Sequence, residues 1–543
     1  MKRNKIALLG VALLAAGSIA LAGCAGGGGG TTSGSAEGGS TSAVIRVNGS
    51  EPQNGLIPTN TNEVGGGKIL DSIFAGLAYY DGDGAIVNEM ADSITVDDSS
   101  TLTVKLKQGQ KFTDGTEVKA SNFIKAWNYG AQASNAQLNQ SWFSDIEGFS
   151  EESDSELTGL AEVDDYTFTI ALSSPVAADF ALRLGYSAYF PLPDVAFDDM
   201  EAFGEAPIGN GPYKLSSDSA WEHDVQITLV KNDDYQGGRT VQNGGLTIVF
   251  YATQDASYAD LLGGNVDVID GVPPAALATY QSDLGDRAVN QPAAIFQSFT
   301  IPESFAHFSG EEGTLRRQAI SMSINRPEIT KTVFNDTRTP ASDFTSPVID
   351  GWSDSLTGAE VLDYNPDEAK KLWAEADAIS PWDGTFQIAY NSDGGHQTWV
   401  DAVSNSIKNT LGIDASGAPY VDFASLRTEV TNRTITTAFR TGWQADYPGL
   451  YNFLAPLYVT GASSNDGDYT NPEFDALLAD GAAAENTEAA NAEYVKAQEI
   501  LLQDLPVIPL WYSNVSGGYG EGVQNVQFGW NSVPLYYEIT KSE

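Results

Sequence analysis

Phe386-Gln387-Ile388-Ala389-Tyr390 reads as a short strand, and downstream Val400, Val403, Ile407 and Leu411 fall on one face of a helix that Gly412 stops. A strand followed by a helix of crossover length is the unit of α/β lobes. Working outward, Asn365-Pro366-Asp367-Glu368 has the order of an N-cap, a proline at the first helical position and a capping-box acid. It predicts a helix running through Leu372 and Ala376. Period-two alternation marks half-buried strands at Leu102/Val104/Leu106, Tyr166/Phe168/Ile170/Leu172, Val225/Ile227/Leu229 and Leu246/Ile248/Phe250. Strands and helices interleaved in this way predict an α/β protein with mixed sheets. No short-period repeat is present, which argues against solenoids and propellers.

The chain is 543 residues long, too long for one hydrophobic core, so two or three domains are expected. It carries 72 acidic and 28 basic side chains, a net charge of −44. With 42% hydrophobic residues the acidity is not a sign of disorder. No Lys/Arg cluster stands out, so a nucleic-acid partner is not expected. One cysteine excludes a disulfide framework and any cysteine-based zinc site. His223, His307 and His396 are far apart in sequence, leaving little for imidazole-based metal or triad chemistry. No metal and no cofactor are expected.

Lys2, Arg3 and Lys5 precede an apolar run from Ile6 to Ala22, and Leu21-Ala22-Gly23-Cys24 follows. A basic start, an apolar stretch and small residues at a cleavage point describe a secretory signal peptide over residues 1–23. The run contains Gly10, Gly17 and Ser18 and falls short of the ~20 apolar residues of a membrane span. Loss of Lys2, Arg3 and Lys5 would leave 25 basic against 72 acidic residues, −47. The Gly/Ser/Thr/Ala tract from Ala25 to Ala43 predicts a flexible leash, with the folded body starting near Val44.

Leu-Ala-Gly-Cys resembles a bacterial lipobox, which implies that Cys24 becomes a lipidated N-terminus and a tether rather than a redox group. The rest of the chain resembles family five of the ABC-transporter solute-binding proteins, the oligopeptide, dipeptide and nickel binders. The matches run in family order: Asn48-Gly49-Ser50-Glu51-Pro52, Ile57-Pro58 and Ile73-Phe74-Ala75-Gly76-Leu77 open it. Lys107-Gln108-Gly109-Gln110-Lys111-Phe112-Thr113-Asp114-Gly115-Thr116 resembles the most recognisable signature, and Ile208-Gly209-Asn210-Gly211-Pro212-Tyr213 a return to the first lobe. Leu315-Arg316-Arg317-Gln318-Ala319-Ile320 with Ile324-Asn325-Arg326 resembles the first helix of the far lobe, and Gly442-Trp443-Gln444-Ala445-Asp446-Tyr447-Pro448 the ligand-site segment.

The resemblance implies a periplasmic-binding-protein-like fold of two lobes (class II, cluster C) with an extra inserted domain. Domain I would be 44–88, 206–299 and 515–543, domain II 89–205 and domain III 300–514. Ala294–Phe299 and the chain near Ser513 would be the two hinge crossings. It also implies a function without catalysis: capture of oligopeptides in a closing cleft and delivery to the permease and ATPase subunits of an importer. A monomer is expected, lipid-anchored on the extracellular face of the cell membrane.

Site residues follow from the same resemblance. Asp446 stands where relatives pair a carboxylate with the peptide α-amine, and an enclosed ammonium needs such a partner. Arg440 stands where relatives can meet the peptide carboxylate with a guanidinium fork. Asn62 and Val64, Gly442 and Gln444 match segments whose main chain pairs with the peptide backbone, a contact blind to side chains. Trp443 would be a wall of the site, and Phe143 an aromatic from domain II. The same fold could hold a nickel complex, haem, an oligosaccharide or a signalling peptide. A surface glycosidase is the remaining alternative, but Asp164-Asp165 and Asp233-Asp234 are more simply turn residues beside strands.

Overall fold

The computed structural model describes residues 42–392, 395–421, 423–462 and 464–542. The expected signal peptide, Cys24 and nearly all of the expected Gly/Ser leash lie outside the described residues. The first strand, Val44–Gly49, starts where the folded body was expected to begin.

One mixed sheet of twelve strands runs through the molecule. Its order along the main path is 415–420, 386–391, 438–444, 288–300, 507–519, 268–269, 44–49, 245–250, 226–231 and 213–215. Val44–Gly49 is parallel to both Gly245–Phe250 and Val268–Ile269, and Phe386–Asn391 is parallel to both Ala415–Tyr420 and Ala438–Gln444; the other pairings are antiparallel. Two buried clusters sit on this sheet. One is built from residues between Ile45 and Ile248 together with Val268 and the chain after Val515; the other is built from Ala294 to Tyr512 together with Trp530. These are the two lobes. A separate four-stranded sheet, ordered 91–98, 101–106, 167–171 and 160–164, packs with the helix Ala120–Ala131 into the first cluster.

Two long strands, Ala288–Thr300 and Val507–Tyr519, belong to both ends of the sheet and carry the chain between the lobes. Their mutual register slips between Pro292 and Phe296. Within that gap Ala294 turns its N–H to the Trp530 carbonyl (2.8 Å), and the Ala293 carbonyl accepts the Ser346 hydroxyl (2.9 Å).

Local signals account for most elements. The helix Gln397–Leu411 buries Val400, Val403 and Ile407 and ends on Gly412 at φ +73°, the left-handed conformation that glycine adopts without strain. The helix Pro366–Ile379 is capped by Asn365, whose side chain accepts from the Glu368 N–H at 3.2 Å. The capping box is one-sided, because Asn365 gives its own N–H to Met322 and Glu368 pairs with Lys371. The strand Gly245–Phe250 departs from the half-buried expectation: it lies between two neighbours, and its first four residues are all buried. The Arg326 of the far-lobe signature is structural. Its guanidinium is buried and bonds the carbonyls of Ser321, Leu362 and Pro509, tying a helix start to a crossing strand. Among the described residues no carboxylate bonds it, and burial pulls its pKa down to about 9.

Candidate functional site

The strand Ala438–Gln444 pairs antiparallel with the crossing strand, Gly442 opposite Gln297 and Gln444 opposite Ile295. Ala445 adds one more rung, its N–H bonding the Ala294 carbonyl at 2.9 Å. The chain then leaves the sheet, so Asp446 projects from a strand end that the ladder holds in place. Asn452, buried at the start of the helix Leu450–Tyr458, clamps it. The Asn452 side-chain oxygen accepts from the Asp446 N–H (2.9 Å) and the Trp443 indole N–H (3.2 Å), and its amide donates to the Asp446 carboxylate (3.1 Å). Burial raises the Asp446 pKa, and the Asn452 contact only partly offsets this. Among the described residues no cation pairs with it.

Opposite lies the N-terminus of the helix Val64–Ile73. Glu63 caps it by accepting the Gly66 N–H at 2.8 Å. Gly66 suits this close approach, since a Cβ there would sit 2.5 Å from the Glu63 carboxylate and 2.7 Å from the Thr61 methyl. Asn62, Val64, Gln444 and Asp446 line one cavity of about 310 Å³, with Tyr80, Tyr186 and Trp530 among its other walls. That volume lies at the lower end of the ~300–1,000 Å³ typical of ligand sites. Val64 is 52% exposed, an apolar residue at the helix start that faces the cavity and not the core.

The other expected residues are placed differently. Arg440, Gly442 and Trp443 line a second cavity of about 180 Å³, bounded by Arg427, Asp466 and Tyr469, inside the far lobe. Arg440 bonds the Asn391 side chain at 2.9 Å. Phe143 does not reach either cavity. It is 0% exposed and packs against Trp127 and Tyr189, so it is a core residue. The aromatic its segment does supply is Trp142, stacked on Tyr186 with ring centroids 4.0 Å apart.

Several residues of the site carry no signal in the sequence. Asn452 is one. Asp71 is another: it lies on the helix Val64–Ile73 and lines the larger cavity. Behind Asp446, the Tyr447 hydroxyl lies 2.9 and 3.1 Å from the two oxygens of Asp179, which also binds Arg183. This buried group joins the 89–205 segment to the Asp446 loop. Among the described residues no His/Cys/Asp/Glu group could hold a metal ion, and no helix is long and apolar enough to cross a membrane.

Comparison with known proteins agrees with this architecture. Residues 85–465 match the model of the bacterial extracellular solute-binding proteins, family 5 (middle region). The chain is 26% identical over 530 residues to the periplasmic oligopeptide-binding protein OppA of Escherichia coli, covering 94% of this chain and 93% of that one. It is 27% identical over 538 residues to the dipeptide-binding protein DppE of Bacillus subtilis, covering 95% of each. The solved structure of the periplasmic murein tripeptide-binding protein MppA, in an unliganded open form, superposes with a TM-score of 0.80 at 21% identity, covering 93% of this chain and 98% of that one. A family match over most of the chain, on a two-lobed α/β frame with a cavity between the lobes, decides the assignment: this chain belongs to the family 5 extracellular solute-binding proteins.

Proposed function

We propose that this chain is the peptide receptor of an ABC importer, lipid-anchored through Cys24 on the extracellular face of the membrane. The peptide lies between the lobes with its α-ammonium on Asp446. Its backbone pairs with the exposed main chain of Asn62–Val64 and Gln444, and the closed complex is passed to the permease unaltered. The observation that carries this reading is the meeting of Asp446 with both backbone edges around one cavity. A half-buried carboxylate with a neutral clamp and, among the described residues, no cation is a poor arrangement when empty and a good one for a guest ammonium. The names of relatives, oligopeptide- and dipeptide-binding proteins, point the same way. The division into 44–88, 206–299 and 515–543, then 89–205, then 300–514 belongs to this proposal; the buried residues of 89–205 are continuous with those of the first lobe. Arg440 and Trp443 then serve side chains of the guest from the second cavity.

The test is calorimetry of the purified protein with free and N-acetylated peptides of two to eight residues. Free peptides should bind and acetylated ones bind poorly. Binding of neither, or recovery of cleaved peptide, overturns the reading. Cys24→Ser should move the protein from the membrane fraction to the medium.

A further inference from the structure

The larger cavity holds a second carboxylate that the proposed amine contact does not use. Asp71 and Asp446 come from opposite lobes and line the same space, and both act on the Tyr186 hydroxyl that stands in its wall. Three acids line the cavity and one base. Glu63 is occupied as the cap of its helix. The base, Lys68, is bonded to Asp270 and so does not neutralise the others. The one nearby guanidinium, Arg239, forks onto Glu89 (2.7 and 3.1 Å) and touches Asp71 only at its main-chain carbonyl. Among the described residues the Asp71 carboxylate has no hydrogen-bond or ion-pair partner. One guanidinium shared between Glu89 and Asp71 leaves a full negative charge there. Burial, opposed by Arg239 and reinforced by Glu89, pushes its pKa up to about 6.

Asp71 lines the cavity without a donor for its carboxylate among the described residues, and a half-buried carboxylate with no donor is unfavourable when the site is empty. Such a group becomes favourable when a cation arrives. We propose that the cavity selects peptides whose amino end carries two positive charges, the α-ammonium on Asp446 and the side chain of a lysine or arginine at the first or second residue on Asp71. This rests on the peptide-receptor reading above and names the class of peptide.

The experiment is calorimetry at pH 7.5 with Lys-Ala-Ala-Ala and Ala-Lys-Ala-Ala, each beside the peptide with norleucine in place of lysine. Norleucine keeps the aliphatic stem and drops the ammonium. In the wild type, lysine at one of the two positions should bind at least about tenfold tighter than norleucine. In Asp71→Asn that ratio should fall to within about twofold. Equal binding of the two peptides by the wild type at both positions overturns the proposal, as does a ratio that survives in Asp71→Asn. The wild-type comparison stands by itself if the variant folds poorly. If norleucine peptides bind and lysine adds nothing, only this inference fails; if no peptide binds, the receptor reading fails with it.

Discussion

Replacing Asp446 by Asn tests the amine contact with the least disturbance. Asn fits the space and can still meet Asn452, so what is lost is the charge. Breaking a fully buried ion pair costs ~3–5 kcal/mol. Asp446 is only partly shielded from solvent and keeps a hydrogen bond, so a value at or below the bottom of that range applies. A loss of about 2–3 kcal/mol, or about 30- to 150-fold in Kd, is expected at pH 7.5. The assay is a cycle: wild type and Asp446→Asn, each titrated with a free peptide and its N-acetylated form. If carboxylate and ammonium touch, acetylation should weaken binding strongly in the wild type and little in the variant. The pH response has a definite sign. The empty carboxyl has a raised pKa, and a bound ammonium lowers it, so affinity is lost as pH falls through the raised value. Asp446→Asn should show a flatter profile. Equal losses on acetylation in both proteins would place the amine elsewhere and refute the reasoning.

Phe143→Ala should destabilise the protein by ~3–5 kcal/mol in urea unfolding, as expected of a buried aromatic, and leave peptide affinity unchanged. Arg239→Met strands Glu89 in the core and should cost ~3–5 kcal/mol, with most of it recovered when Glu89→Gln is added. Asp71 is raised in the folded protein to about 6, above its unfolded value, so its stabilising share is present at low pH and lost as pH rises through 6. Asp71→Asn should therefore gain ~1–2 kcal/mol at pH 7.5 and nothing at pH 4, by thermal or urea unfolding of the empty protein.

The strands and helices that the sequence announces are those whose burial is local and periodic. Val400, Val403 and Ile407 or Leu102, Val104 and Leu106 bury one face against whatever covers it, and the period alone tells that. Gly245–Phe250 is buried more deeply than its alternation predicts, because its first four residues are buried whichever face they point to and alternation reports only one face. In the site, Asp446 was legible because it lies in a compact motif. Asp71 and Asn452 were not, since each sits in an ordinary helix; Asp71 reaches the cavity and Asn452 reaches Asp446 only through the packing of segments far apart in sequence. Phe143 and Trp142 show the resolution limit of such reasoning: adjacent residues of one 3₁₀ turn point to the core and toward Tyr186, and a one-residue error exchanges them.

The slipped rungs between Pro292 and Phe296 bear on how such a molecule would swing open and shut. The two crossing strands lose their ties to each other here, beginning at Pro292, which has no N–H to offer, while Ser346 and Trp530 hold Ala293 and Ala294 from elsewhere. Ala294 lies inside that stretch and holds the Ala445 N–H, one residue from the carboxylate that would grasp the guest. Fulcrum and grip would thus be neighbours on one short lever, so a tug at Asp446 would be delivered straight to the slipped register between the jaws.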